Sequence, residues 1–231
     1  MTGVESIKVV LLGESGVGKS SLALRFVTDE FRPYSEATIG ASFMSKAVTI
    51  PVTTEDSASH EENSGENNAG NGDNTKSQST TRQRHVGFKF KIWDTAGQEK
   101  YRSLAPMYYR GSDAAVLVYD ITKPGSFAAL QDWVDELKQN GPPDLVLAVC
   151  GNKSDLREDR AVGLSTGERY AESIGAVYAE TSAKAGEGVE SMFVAVAKRV
   201  PPPINMGEEY LEEDVGLDLG KASEHPTACG C

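Results

Sequence analysis

The chain has few cysteines and no long apolar run, and both absences limit its class. Only Cys150, Cys229 and Cys231 occur among 231 residues, which is too few for a disulfide framework. No apolar stretch approaches the ~20 residues of a membrane span, and residues 1–8 lack the long apolar region of a secretory signal. We therefore expect a soluble, cytosolic chain in which Cys150, inside the apolar run 145–151, is a buried free thiol.

Basic residues are fewer than acidic ones, 23 against 34, and most of the acidic excess lies in two segments. The formal net charge is −11, of which residues 52–85 carry −3 (six acids, three bases) and residues 201–231 carry −6 (seven acids, one base). The remaining residues carry −2 and are nearly neutral. Nothing in this balance points to nucleic acid as a partner.

Three of the 23 glycines fall within residues 13–20 (GESGVGKS), directly after the apolar run 7–12. This pattern predicts a phosphate-binding P-loop, in which glycines let backbone N–H groups converge on a phosphate at a helix N-terminus. Lys19 would reach the β- and γ-phosphates, and the Ser20 hydroxyl would hold Mg²⁺. The alternative is a Gly-rich turn with a solvated lysine.

Apolar runs and helical patterns alternate along the chain, which predicts an α/β fold. Strand patterns cover 7–12, 43–50, 86–93, 114–120, 145–152 and 177–181, and helical patterns cover 19–28, 127–140, 165–174 and 189–200. Such alternation predicts a mostly parallel six-stranded sheet with helices on both faces and ligands at the C-terminal ends of the strands.

Two segments do not fit a packed domain. Residues 53–85 are dense in Glu, Asn, Ser, Gly and Thr and lack aromatic side chains, so we expect a disordered insertion in a hairpin inside a domain that spans 6–200. It is either a passive loop or a binding segment that folds on contact. Residues 201–231 begin with three prolines and continue acidic, which is typical of a flexible tail.

The stretch WDTAGQE, residues 93–99, follows a strand and predicts a second phosphate-contacting loop. Asp94 is placed to hold Mg²⁺ through a water, and Gly97 to offer its N–H to a γ-phosphate. The neutral Gln98 is no strong base, but its amide can orient an attacking water. Otherwise these would be an ordinary strand terminator and an exposed glutamine.

The stretch GNKSD, residues 151–155, predicts which base is read. A carboxylate such as Asp155 accepts two hydrogen bonds from the N1–H and exocyclic amine of guanine, whereas adenine lacks that donor pair. Residues 181–184 (TSAK) follow the next strand, where the Ala183 N–H would meet the guanine oxygen.

In this order and spacing, the motifs resemble those of Ras-superfamily small GTPases over residues 6–200, apart from the insertion. The resemblance implies GTP/GDP and Mg²⁺ as ligands, Thr38 as a switch threonine on Mg²⁺ and the γ-phosphate, and Phe31 as an aromatic edge against the base. It makes Gln98, Lys19 and Thr38 the catalytic residues and Ser20, Thr38 and Asp94 the metal site. The nucleotide-binding residues it implies are Glu14, Ser15, Gly16, Val17, Gly18, Lys19, Ser20, Ser21, Phe31, Gly97, Asn152, Lys153, Asp155, Ser182, Ala183 and Lys184.

Within that superfamily the chain is most similar to Rab proteins. The stretches IGASF (39–43), KFKIW (89–93), KYRSL (100–104), YYRGS (108–112) and LVYDIT (117–122) resemble the Rab signatures, and the wording is nearest to the early-endosomal Rab five and Rab twenty-two group. The resemblance implies a hydrophobic effector patch at Phe43, Trp93 and Tyr108. On pattern alone, these three could equally form part of the core.

The ending Cys229-Gly-Cys231 resembles the double geranylgeranylation signal of Rab proteins. Two lipid chains anchor a protein stably where one does not, and the acidic tail offers no polybasic support. A pair of unmodified thiols is the alternative. The resemblance implies an exchange factor, a GTPase-activating protein, a prenyl-dependent chaperone and effectors as partners, membrane contact through the prenyl groups, and a monomeric chain on the cytosolic face of endosomes.

We therefore expect a GTP/GDP switch that hydrolyses GTP slowly and regulates vesicle trafficking. Two alternatives stay open at this point. A P-loop ATPase or kinase would accept ATP and would lack the base-reading role of Asp155, and a nucleotide-binding scaffold would never cycle. An intact Gln98 argues against the scaffold.

Overall fold

The computed structural model describes residues 5–54, 82–97 and 104–201. Gln98, Cys229, Cys231 and residues 55–81 lie outside the described residues, so the roles predicted for them stay predictions. The strands are β1 Glu5–Leu12, β2 Ala41–Thr54, β3 Arg82–Thr95, β4 Ala114–Asp120, β5 Val146–Asn152 and β6 Val177–Thr181. The helices are α1 Lys19–Thr28, α2 Ala105–Tyr109, α3 Pro124–Ala128, α4 Leu130–Asn140, α5 Leu164–Ser173 and α6 Val189–Arg199, with a 3₁₀ turn at Arg157–Asp159.

The six strands form one sheet in the order β2-β3-β1-β4-β5-β6. Only β2 runs antiparallel to its neighbour, and every other pairing is parallel. The predicted α/β fold with a mostly parallel sheet is thereby confirmed. Because the ends of parallel strands meet at one edge, the loops after β1, β3, β4, β5 and β6 come together there.

Side chains on the two faces of the sheet form two separate cores. On one face, Phe26 of α1 stacks on Phe193 of α6 at 3.9 Å between ring centroids, and Phe90 of β3 meets both rings edge-on. On the other face, Tyr109 of α2 and Tyr119 of β4 lie fully buried in a second core with Leu130 and Val134 of α4. All seven residues of β4 are buried, as expected for a central strand covered on both sides.

The β2–β3 hairpin is longer than the sequence predicts. Its ladder continues to Thr54 opposite Arg82, so residues 53–54 and 82–85, which fall inside the predicted insertion, are paired strand residues. Because β1 begins opposite Phe88, the outer six residues of β3 pair with β2 alone.

The helical patterns also differ from prediction in detail. The pattern at 127–140 predicts one helix, but the structure has two helices, α3 and α4, separated at Ala129. The five-residue helices α2 and α3, each with a proline in the first turn, are too short to give a periodic signal. No helix in the described part of the chain is long and apolar enough to cross a bilayer.

Candidate nucleotide site

A cavity of about 450 Å³ opens at the C-terminal edge of the sheet, where the loops after β1, β3, β5 and β6 meet. Parallel sheets generally bind ligands at this edge. Its lining combines the loop after β1, the segment before β2, Gly97, and the loops after β5 and β6. Those residues are Ser15, Gly16, Gly18, Lys19, Ser20, Ser21, Phe31, Arg32, Pro33, Tyr34, Ser35, Glu36, Ala37, Thr38, Gly97, Asn152, Lys153, Asp155, Leu156, Ala183 and Lys184.

Glycines shape the loop between β1 and α1 by close approach and by backbone angle. Gly13 has φ of 140°, and a Cβ there would collide with the Val118 carbonyl oxygen of β4. Gly18 has φ of 99°, and a Cβ there would collide with the Asn152 amide. Since L side chains rarely adopt such angles, this backbone path requires glycine at both positions.

Lys19 is buried in the first turn of α1 and is held by the loop that precedes it. Its Nζ donates to the Gly13 carbonyl at 2.9 Å and to the Glu14 carbonyl at 2.8 Å. Burial lowers the pKa of Lys19 to about 8, while the Asp94 and Glu14 carboxylates oppose the shift. An ammonium held among carbonyls at the cavity wall is placed to receive a phosphate anion.

Three oxygen-bearing side chains meet where the sequence predicts a metal. The Ser20 and Thr38 hydroxyls lie 2.7 Å apart, and Thr38 lies 3.4 Å from Oδ2 of Asp94. Asp94 is 1% exposed, its other oxygen Oδ1 is buried without a hydrogen-bond partner in the described part of the chain, and burial raises its pKa. Hydroxyl and carboxylate oxygens suit Mg²⁺, whose neighbouring ligand oxygens lie about 3 Å apart, so these residues fit the predicted ion.

Carboxylates alone do not create this metal site. The described residues contain no cluster of three histidine, cysteine, aspartate or glutamate side chains that could hold a metal. Asp94 therefore needs the two hydroxyls, and Thr38 belongs to the segment before β2 rather than to the P-loop. Mg²⁺ would link these two segments through their oxygen atoms.

Gly97 lies at the end of the cavity that Lys19 lines, called the phosphate end because Lys19 is expected to bind phosphates there. A Cβ at this position would lie 2.5 Å from the Glu14 carbonyl and 2.5 Å from Nζ of Lys19. Only a residue without a side chain permits that approach, which places the backbone of Gly97 beside the lysine that would bind the phosphates. The predicted role of Gly97 therefore has the proximity that it requires.

Asn152, at the end of β5, connects the loop after β1 to the loop after β6. Its Nδ2 donates to the Val17 carbonyl at 2.8 Å, and its Oδ1 accepts from the Thr181 hydroxyl at 3.2 Å and from the Ala183 N–H at 3.3 Å. The Ala183 N–H, predicted to meet the guanine oxygen, thus donates to Asn152 in this structure. Buried at 1% exposure, Asn152 joins the phosphate and base ends of the cavity.

Lys153 is fixed by an ion pair and by an unusual backbone angle. Its Nζ lies 2.6 Å from Oδ2 of the buried Asp120 and donates to the Gly16 carbonyl at 2.8 Å. Its φ is 69°, a left-handed conformation that turns the chain toward Asp155. Asp155 accepts from the Ser182 hydroxyl at 2.5 Å and is exposed to the cavity. A carboxylate presented in this way can accept hydrogen bonds from a base edge.

The structure gathers most of the predicted nucleotide-binding residues around the cavity. Glu14, Val17 and Ser182 do not line it: the first two contribute backbone carbonyls to Lys19 and Asn152, and Ser182 orients Asp155. The prediction missed Leu156 and the run 32–37, which complete the wall. Leu156 could have been predicted as a lining residue because it directly follows Asp155. Loop residues such as 32–37 carry no periodic signal from which a position in the wall could be predicted.

The three aromatic residues of the predicted effector patch are contiguous and partly exposed. Phe43 and Trp93 lie 5.4 Å apart between ring centroids, and Trp93 and Tyr108 lie 5.8 Å apart. Phe43 is 53% exposed and the nearby Ile39 is 80% exposed. The three rings therefore form an apolar surface beside the Thr38 segment, and not a closed core.

A P-loop after β1, a buried lysine, an oxygen-lined metal position and an exposed carboxylate after β5 together define a P-loop nucleotide-binding protein. The family model for the Ras family matches residues 64–202, and the model described as "Ras of Complex, Roc, domain of DAPkinase" matches residues 8–64. The boundary between the two matches falls inside the insertion.

Curated relatives give a finer assignment. Ras-related protein Rab-31 of Mus musculus is 45% identical over 223 residues, covering 96% of each chain, and that of Homo sapiens is 47% identical over 202 residues, covering 87% of each. Ras-related protein Rab-22A of Homo sapiens is 43% identical over 198 residues, covering 86% of this chain and 85% of its own. The chain belongs to the Ras family, as a Rab GTPase of the Rab five and Rab twenty-two branch.

Membership in this family confirms the ligands and the reaction expected from the sequence. The protein binds GTP or GDP with Mg²⁺, hydrolyses GTP to GDP, and acts as a switch in vesicle trafficking that works through regulators and effectors. Membrane anchoring and an early endocytic role accord with its Rab-31 and Rab-22A relatives.

Proposed function

We propose that this protein senses the γ-phosphate through Thr38 and Gly97 and reports it at an endosomal membrane. The observation that carries the proposal is the convergence of Lys19, Ser20, Thr38 and Gly97 at one end of the cavity. Two separate chain segments would contact the same phosphate, so its loss would release both at once. The signal that partners read is whether these two segments are ordered or released.

The residues of this chain divide the work of hydrolysis. Lys19 would bind the phosphates. Ser20, Thr38 and, through a water, Asp94 would hold Mg²⁺, which would neutralise phosphate charge. Gln98 orients a water that attacks the γ-phosphorus as the bond to the β-phosphate oxygen breaks, which yields GDP and inorganic phosphate. Without a supplied arginine, such sites turn over at ~10⁻⁴ s⁻¹, and an arginine in trans raises the rate by up to ~10⁵.

The effector patch and the two cysteines give this switch its output. In the GTP state, Phe43, Trp93 and Tyr108 offer partners an apolar surface next to Thr38. Cys229 and Cys231 carry prenyl groups that hold the protein on the cytosolic face of endosomes, and a prenyl-dependent chaperone returns it to the cytosol. An exchange factor and a GTPase-activating protein set the time spent in each state.

Stimulated hydrolysis tests the catalytic part of the proposal. Gln98→Leu should leave GTP binding intact and abolish the acceleration by an activating protein, because leucine cannot orient water. Gln83→Leu, far along β3, is a matched control. An unchanged stimulated rate in Gln98→Leu would refute the positioning role.

Base selection tests the role of Asp155 and separates this switch from an ATPase. Asp155→Asn should weaken GTP and admit xanthosine triphosphate, since an amide can pair with the oxygen that replaces the exocyclic amine. Competition between GTP and ATP for the unaltered protein should strongly favour GTP. Equal competition by ATP would contradict the proposal.

Localisation tests the lipid anchor. An N-terminal fluorescent fusion of the full chain should label endosomal membranes, and removal of residues 229–231 should leave it dispersed in the cytosol. Replacing each cysteine singly separates one lipid chain from two. Membrane labelling that persists after both cysteines are replaced would refute prenylation at Cys229 and Cys231 as the membrane anchor.

A further inference from the structure

An arginine outside the predicted site clamps the loop that carries Asp155. Nη1 of Arg160 lies 2.6 Å from Oε1 of Glu180, and Nη2 lies 2.8 Å from Oε2. The two side chains are 25% and 16% exposed. A two-pronged, partly buried arginine–carboxylate pair is among the strongest and most directional polar contacts in proteins.

Glu180 also accepts a hydrogen bond from a tyrosine, which gives the Arg160–Glu180 pair further support. The Tyr178 hydroxyl lies 3.3 Å from Oε1 of Glu180 and 3.1 Å from the hydroxyl of the buried Tyr119. A Cβ at Gly167 would lie 2.6 Å from both hydroxyls, so α5 approaches this network closely because a glycine faces it. The carboxylate of Glu180 therefore has one defined position.

The clamp lies beside both base-side loops. Glu180 directly precedes Thr181, which binds Asn152, and Ser182, which binds Asp155. Arg160 directly follows the exposed run 155–159, which begins with Asp155 itself.

Between its ends, this run is held by its own 3₁₀ turn at Arg157–Asp159 and by the exposed ion pair of Arg157 with Glu187 at 3.7 Å. Before it, the Ser154 N–H donates to the Thr181 carbonyl at 3.0 Å, and after it, the Ala161 N–H donates to the Ile121 carbonyl at 2.9 Å. Arg160 is the side chain that fastens the far end of the run to β6.

We propose that Arg160 is a positioning residue for guanine recognition, which acts through Glu180 to hold Asp155 against the base edge. The inference rests on the proposed role of Asp155. Both ends of the run 155–159 are tied to β6, one through Ser154 and one through Arg160. Releasing the end held by Arg160 lets the Asp155 carboxylate move away from the base edge. The loss of affinity is greatest for a base that hydrogen-bonds to both carboxylate oxygens.

Dissociation rates of GDP and inosine diphosphate test the proposal on the full chain with Mg²⁺. Inosine lacks the exocyclic amine, so Asp155 keeps one of its two hydrogen bonds and inosine diphosphate should leave faster. Arg160→Ala should speed GDP release about tenfold, speed inosine diphosphate release much less, and so shrink the ratio of the two rates about threefold or more. Arg157→Ala is the matched control, because Arg157 lies in the same run 155–159, is 74% exposed and pairs at 3.7 Å with Glu187 of the loop after β6. It should change neither rate.

Each outcome decides one question. A role confined to fold stability would lower the melting temperature and raise both rates equally, and an unchanged ratio in Arg160→Ala would overturn the proposal. If Arg160→Ala does not fold, Arg160→Lys can be used, because lysine keeps the charge but cannot make the two parallel hydrogen bonds to Glu180. It should shrink the ratio of the two release rates by a smaller factor. An unchanged ratio in Arg160→Lys would also overturn the proposal. A wild-type protein that releases both nucleotides equally would refute the role of Asp155 itself.

Discussion

Replacing Asn152 with alanine should disconnect the phosphate and base ends of the nucleotide cavity. The change removes one bond donated to Val17 and two accepted from Thr181 and Ala183, all of them buried. Each such bond contributes about 0.5–1.5 kcal/mol net, and a buried group left unpaired costs about 1–3 kcal/mol. We expect a total loss of about 3–4 kcal/mol.

The loss should appear mainly in nucleotide affinity. Because Asn152 joins loops rather than core side chains, most of the cost should fall on the closed cavity, which corresponds to a Kd for GDP raised by about 100-fold or more. Titration of fluorescent GDP into the nucleotide-free protein measures the affinity, and urea unfolding without nucleotide measures the remainder. Bound nucleotide must be removed first, since it adds its own stabilisation.

A second asparagine provides the control for this experiment. Asn140 donates to Glu136 at 3.2 Å on the exposed end of α4, so Asn140→Ala should alter neither Kd nor unfolding. If Asn152→Ala binds GDP within threefold of the parent, the three hydrogen bonds do not couple the loops and the reasoning fails.

Three further changes test other parts of the structure. Gly13→Ala, with φ of 140° and a Cβ against the Val118 carbonyl, should lower the free energy of unfolding in urea by more than ~3 kcal/mol. Gly16→Ala, whose Cβ meets nothing within 4 Å, should lower it by only ~1–2 kcal/mol. Equal losses in the two variants would contradict this. Burial raises the pKa of Cys150 from 9.0 to about 12, so the stabilisation from its neutral thiol is present below pH 9 and lost as the pH rises toward 12. Iodoacetamide at pH 8 should therefore modify Cys150 only in unfolded protein, as read by peptide mass spectrometry, and rapid labelling of folded protein would refute this. Ser20→Asn should weaken GTP relative to GDP in the presence of Mg²⁺, and equal affinities measured by competition would count against the metal position.

Prediction from sequence succeeded where periodicity or a fixed motif carried the information. Each of the six strand patterns corresponds to an observed strand, because alternating or continuous apolar runs mark a sheet covered by helices. The hairpin extension escaped detection, since residues 53–54 and 82–85 are polar, give no apolar pattern and pair through backbone hydrogen bonds.

Within the site, the positions adjacent to motifs were predictable and the long-range partners were not. The P-loop, Asp94 and Asp155 follow from local sequence, whereas the ion pairs of Lys153 with Asp120 and of Arg160 with Glu180 join residues 33 and 20 positions apart. No local rule pairs such residues. The Ala183 N–H, expected to be open to a ligand, donates to Asn152 because both lie at the same edge of the sheet.

The length of the β2–β3 hairpin also has a practical consequence. Its ladder runs from Ala41 and Thr95, next to the phosphate end of the cavity, to Thr54 and Arg82, a span of about 45 Å for 14 residues. Inserted sequence enters at the far end, where lengthening a connection costs little entropy. Since lipidation would preclude a C-terminal tag, the junction between Thr54 and Arg82 gives an internal position for a reporter domain, separated from the nucleotide by the full length of the ladder.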